Sequence, residues 1–171
     1  LDLLGYGRSD RPAEMSEPPE DNAPLVDTEH PVQEVGRAIS FIQRERGISH
    51  LDLIGYSWGT AICGTYAGLY TDNVRKLVLS GALWVEKIES ENLASASPGA
   101  YRGVTVEAAF ERWQAGLKTE EINALVSEEA RRRWCERTLA CDPDFHLTGK
   151  LRAPSGVTKD FLRVARTGEP W

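Results

Sequence analysis

Leu51-Asp52-Leu53-Ile54-Gly55-Tyr56-Ser57-Trp58-Gly59-Thr60 decides how this chain is read. An apolar run of strand length meets a glycine, a serine and a second glycine, and a small-residue helix follows. The spacing Gly55, Ser57, Gly59 fits G-x-S-x-G, and the strand before and helix after are the context in which that pattern has a mechanism. A chain turning sharply from strand to helix strains the residue at the apex, whose side chain then projects above the C-terminal edge of the sheet. The residues two before and two after crowd that apex, so small ones are expected at Gly55 and Gly59, flanking Tyr56, Ser57 and Trp58. Gly59, Ala61, Gly64, Ala67 and Gly68 predict a helix face built for close approach. The Ser57 hydroxyl would stand at a helix N-terminus, where the Trp58 backbone N–H and the helix dipole can stabilise a developing oxyanion.

Working outward, Asp27 or Thr28 can cap a preceding helix, and Pro31 suits its first turn. Val32, Val35, Ile39 and Ile42 give that helix an apolar stripe, and Gly47 stops it. His50–Gly55 reads as a strand, Trp58–Tyr70 as a helix and Lys76–Ser80 as a buried strand. Leu1–Leu4 reads as the end of a further strand running into the tight turn Gly5-Tyr6-Gly7. Strand–helix–strand–helix–strand predicts an α/β fold with a parallel sheet. Residues 10–30, with four prolines and seven acids against one arginine, read as a solvated loop.

Beyond Leu83 no further strand is evident. Ala109, Phe110, Trp113 and Leu117 form a helical stripe. Glu120–Val126, Glu128–Leu139 and Thr158–Thr167 read as three more helices. The expected division is therefore an α/β part over residues 1–83 and a helical module over 84–171.

Composition narrows the partners. The 171 residues are 41% hydrophobic and 27% charged, with 20 basic against 26 acidic residues and a net charge of −6. That balance speaks against nucleic acid or an anionic membrane as a partner and leaves a small molecule as the expected one. The apolar runs are strand-sized, far short of the roughly 18 residues of a membrane span. No signal peptide is visible, so a cytoplasmic location is the expectation. Cys63, Cys135 and Cys141 form no C-x-x-C pair, which argues against a disulfide framework or a zinc site and favours small buried thiols. No metal and no cofactor are expected. Trp58-Gly59-Thr60 has no lysine for a phosphate-binding loop. Gly5-Tyr6-Gly7-Arg8-Ser9-Asp10 has an aspartate where a dinucleotide fingerprint needs its third glycine.

Asp2–Pro12, the Gly55–Gly59 elbow about forty residues on, and Lys76-Leu77-Val78-Leu79 together resemble the α/β-hydrolase superfamily, a three-layer fold of a parallel sheet with flanking helices. The resemblance is close over residues 1–84; residues 85–170 resemble, in kind only, the helical cap of such enzymes. It implies covalent acyl transfer by a Ser–His–Asp/Glu triad. Ser57 carries over as nucleophile and the Trp58 N–H as one oxyanion donor, with Gly5–Pro12 as a loop that flanks the pocket in many members. The other triad members do not carry over. His50 lies seven residues before Ser57, about 23 Å along a strand at roughly 3.3 Å per residue. His30 precedes Ser57 at a helix start, and His146 falls in the cap. Ser80-Gly81-Ala82-Leu83 offers no carboxylate before Glu86.

The resemblance therefore implies an internal fragment, a view matched by a chain that opens on Leu1 and carries its only methionine at Met15. The 171 residues alone are expected to be inactive, with an unpaired edge on Leu51–Ile54 that favours aggregation. A small carboxylic ester is the expected substrate. N-terminal-proline peptides, lactones, C–C bonds and cofactor-free haloperoxidation are alternatives, as is a non-catalytic binding protein on the same fold. Trp84, Trp113, Trp134 and Trp171 are candidates for cap core or an apolar acyl wall.

Overall fold

The structure, a computed structural model, describes residues 1–82 and 98–169, and among these it has two short sheets and seven α-helices. Strand β1 (Leu51–Tyr56) pairs in parallel with β2 (Val74–Ser80), Leu53 opposite Leu77 and Tyr56 opposite Ser80. Helix α1 (Glu29–Arg46) precedes β1, and α2 (Trp58–Leu69) makes the crossover to β2. A parallel pair needs such a crossover, and here the helix supplies it.

The core beside this sheet joins Val32 and Ile39 of α1, Leu53 of β1, and Ile62, Cys63 and Tyr66 of α2. Burying each large aliphatic side chain contributes about 1.5–3 kcal/mol. Helix α1 follows the reading of its stripe: Val32 and Ile39 are buried, Val35 is half-buried, and only Ile42 at the C-terminal end is exposed. Gly47 ends it with φ at 62°. Asp27 does the capping, its Oδ1 accepting from the His30 backbone N–H at 3.4 Å and lying 2.8 Å from His30 Nδ1. The opposite sheet face is open among the described residues, with Ile54 75% and Tyr56 74% exposed.

Four expectations are corrected. Residues 98–169 are not wholly helical: β3 (Tyr101–Val104) and β4 (Leu151–Pro154) form an antiparallel ribbon, with Arg102 opposite Ala153. Both strands have four residues and contain Gly103 or Pro154, so neither shows a strand's apolar alternation. The helices of this part are α3 (Val106–Trp113), α4 (Thr119–Leu125), α5 (Glu128–Leu139), α6 (Phe145–Thr148) and α7 (Gly156–Thr167). Leu1–Leu4 forms no strand among the described residues; the Leu4 N–H donates to Glu34 Oε2 at 3.2 Å instead of to a ladder. The turn after it does form, with Gly5 and Gly7 at φ 81° and 52°.

The acidic loop is not simply solvated. It coils into short 3-10 turns and is tied to the ribbon: Ala100 N–H donates to Pro19 O at 2.7 Å, and Leu25 N–H to Ala100 O at 3.1 Å. Met15 is buried there, and its carbonyl accepts from Arg152 at 3.0 Å. Cys141 is exposed, because α5 stops at Leu139, whereas Cys63 and Cys135 are buried. The expected boundary at residues 83/84, with Trp84, Glu86 and Trp171, lies outside the described residues.

An ionic cluster joins Arg11 to Asp142, Asp144 and Arg152. The fully buried Asp142 carboxylate accepts from the Arg152 N–H at 2.8 Å and its guanidinium at 3.2–3.3 Å, and lies 3.3 Å from Arg11. Arg152 also bonds Asp144. A buried charge without such partners would be strongly destabilising.

Candidate active site

Ser57 occupies the apex between β1 and α2 at φ 50° and ψ −120°, a conformation L-residues rarely adopt. Such strain costs about 1–3 kcal/mol and persists only where the surroundings impose it. Here they do so through both backbone groups. The Ser57 N–H donates to Ser80 O at the end of β2 (3.0 Å), and its carbonyl accepts from the Thr60 N–H (2.9 Å) and Thr60 Oγ1 (2.6 Å). The side chain is exposed, and its hydroxyl has no hydrogen-bond partner among the described residues. The Trp58 N–H, in the first turn of α2, has no backbone acceptor among them either. A carbonyl oxygen beside Ser57 could therefore take that N–H at the positive end of the helix dipole.

Gly55 is required by this geometry. A Cβ there would lie 2.4 Å from Gly59 O and 3.0 Å from Thr60 Cα, so the strand end packs directly on the helix start. Gly59 departs from expectation: a Cβ on it meets nothing within 4 Å among the described residues, and the same holds for Gly64 and Gly68. Only one of the two glycines flanking Ser57 is sterically demanded by them.

The Trp58 indole is held as firmly as the apex. Its Nε1–H donates to Thr28 Oγ1 at 3.2 Å, and the Tyr6 ring lies 6.3 Å away, centre to centre. Thr28, buried at the start of α1, donates in turn to Asp160 of α7. So α1, α2 and α7 are pinned together beside Ser57. Tyr6 belongs to the Gly5–Pro12 loop expected to flank the pocket.

A cleft of about 450 Å³ opens at this point. Tyr6, Ser57 and Trp58 line it together with Arg102 of β3, Arg112 of α3, and Val157, Thr158 and Phe161 of α7. Burial pushes the Tyr6 phenol up, partly offset by the Arg102 charge. A larger groove of about 710 Å³ between α1 and α2 contains no part of the elbow. Size therefore does not single out this cleft; the strained, accessible serine does. No local pattern marks Arg102, Arg112, Phe161 or Asp160, or gives Thr28 more than a capping role, because strand β3 and helices α1, α3 and α7 bring them to this place only in the folded chain.

The histidines stand elsewhere. His30 Nδ1 pairs with Asp27, His50 Nδ1 lies 3.0 Å from Ser49 Oγ, and His146 Nδ1 lies 3.0 Å from the Pro143 carbonyl. None lines the cleft. Among the described residues no group of three His, Cys, Asp or Glu side chains is placed to hold a metal ion, and no helix is long and apolar enough to cross a membrane.

A family model described as alpha/beta hydrolase fold matches residues 1–144. The chain belongs to the alpha/beta hydrolase fold family. A thioesterase domain from the curacin biosynthetic pathway is a similar solved structure at 17% identity and a TM-score of 0.46; the match covers 96% of this chain and 54% of that one. This hydrolase-fold chain thus spans about half the length of that structure. Comparison with curated proteins finds no match.

Proposed function

We propose that Ser57 is the nucleophile of a serine hydrolase working by acyl transfer on a small carboxylic ester, under a cap to which residues 84–171 contribute. The observation that carries this reading is the strained Ser57, its backbone tied at both ends and its hydroxyl open to a cleft. In the proposed reaction Ser57 Oγ attacks the carbonyl carbon and its proton passes to a base. The carbonyl electron pair moves onto oxygen, where the Trp58 N–H stabilises it. Collapse expels the alcohol, and water then cleaves the acyl-enzyme and restores Ser57. Tyr6 and Phe161 offer apolar surface to the acyl chain. The base is a group other than the residues lining the described cleft.

A second reading, a binding protein that keeps the elbow without catalysis, is favoured by one observation: none of the three histidines lines the cleft at Ser57. A fluorophosphonate probe separates the two. In the protein expressed from its own gene, covalent labelling that disappears in Ser57→Ala supports the nucleophile. Labelling that survives the substitution refutes it, and no labelling at all favours the binding protein.

A further inference from the structure

We infer that the cleft at Ser57 takes a short ester bearing a carboxylate, which is held by Arg102 and Arg112, two further residues lining that cleft. This deepens the acyl-transfer reading and rests on it for the chemistry, though not for the binding.

The distribution of charge carries the inference. The chain has an acidic excess, 26 against 20. Yet the described residues around this cleft include two arginines and no aspartate or glutamate. Several arginines elsewhere are paired with carboxylates: Arg75 with Asp52, Arg152 with Asp142 and Asp144, Arg132 with Glu128, Arg163 with Glu169. Arg102 and Arg112 have no carboxylate partner among the described residues.

They also come from two different elements, so no helical spacing accounts for their meeting. Arg102 is on β3, whose neighbouring Tyr101 uses the other face of the ribbon to donate to Glu17 O at 2.9 Å. Arg112 is in the last turn of α3. Two guanidiniums beside a cleft with aromatic walls match an anion carried on a short organic chain. Arginine's planar fork suits a carboxylate better than a point charge does. The carboxylate can sit on the acyl part or on the leaving alcohol, and these are distinguishable.

The test uses the protein expressed from its own gene with Ser57→Ala, which cannot turn over. It is titrated calorimetrically with monoethyl glutarate (charge on the acyl part), 3-acetoxypropanoate (charge on the alcohol part) and neutral ethyl pentanoate. At least one anionic ester should bind about tenfold or more tighter than the neutral one. That preference should shrink with added salt, fall in Arg102→Gln and Arg112→Gln, and be partly kept by the lysine variants. Thermal melts establish that each variant is folded. Equal binding of all three esters, no binding of any, or a preference indifferent to both glutamine variants overturns the inference. Fluorophosphonate labelling of the unmutated serine reports separately on the nucleophile. Labelling with charge-blind binding sinks the anion site alone. Charge-selective binding without labelling sinks the nucleophile alone.

Discussion

The backbone N–H and the hydroxyl of Thr28 donate to the same oxygen of Asp160, each at 2.7 Å, across 132 residues of sequence. Thr28 Oγ1 also accepts from the Trp58 indole. One buried threonine thus links the residue after Ser57 to helix α7. Asp160→Ala leaves a buried N–H without its acceptor and should lower stability by about 3 kcal/mol, from two hydrogen bonds to a charged group. Thr28→Val keeps the backbone bond and should cost about half as much. Urea denaturation measures both, and an Asp160→Ala loss below about 0.5 kcal/mol would contradict the linkage.

The two glycines of the elbow should behave differently. Gly55→Ala drives a Cβ to 2.4 Å from Gly59 O and should cost about 3 kcal/mol while slowing fluorophosphonate labelling. Gly59→Ala enters open space in a helix and should be neutral or stabilising by up to about 1 kcal/mol. Equal effects in the two variants would show that the turn is packed otherwise.

Relief of strain at the apex gives a third expectation. Glycine accepts φ 50° and ψ −120° without a Cβ clash, and alanine does not. Ser57→Gly should therefore be about 1 kcal/mol more stable than Ser57→Ala, although glycine is normally the less stable choice. Calorimetric melting of the two variants decides it; a more stable alanine variant would mean that Ser57 is unstrained in solution.

Acid should expose the buried cluster. Burial acts to raise the Asp142 pKa, but hydrogen bonds from Arg152 and the Arg11 charge outweigh it, so the carboxyl titrates below its ordinary range. Between the unfolded value of about 3.9 and the lower folded value, the unfolded chain binds more protons, and stability rises with pH. The Asp142 contribution is therefore complete above that range and is lost as pH falls through the folded value. Denaturation curves should show a constant gap between the unmutated protein and Asp142→Asn above about pH 5, closing toward pH 2. A gap that stays constant down to pH 2 would count against the ion pairs.

Among the described residues one face of the sheet is open, and this sets an expectation for the 171-residue polypeptide. Ile54, Tyr56 and Val78 are all more than half exposed, and two strands make a marginal sheet. This polypeptide by itself should bind the dye ANS and elute as oligomers, and Ile54→Lys with Val78→Lys should reduce both. A monodisperse, dye-silent monomer would be the contrary result.

The elements around the elbow were legible in sequence because each depends on local chemistry. Apolar spacing and Gly47 bound α1, the run Leu51–Ile54 makes a strand, and Gly55 lets that strand's end pack on the start of α2. Gly55, Ser57 and Trp58 were legible for the same reason, since a strained turn demands particular residue types at fixed offsets. What surrounds them was not. β3 and β4 are too short to carry a period, and they pair across 47 residues or more. Arg102 and Arg112 look like ordinary surface charges until a ribbon and a helix bring them to the same cleft. Thr28 reads as a helix cap, yet its bonds to Asp160 and Trp58 exist only once three helices converge. By itself the sequence determined the family, the apex residue and the strand–turn–helix that strains it, because backbone sterics act between neighbours. The tertiary structure alone decided which charges share a cleft with Ser57 and what pins its neighbour, because those depend on groups far apart in the chain meeting in the folded protein.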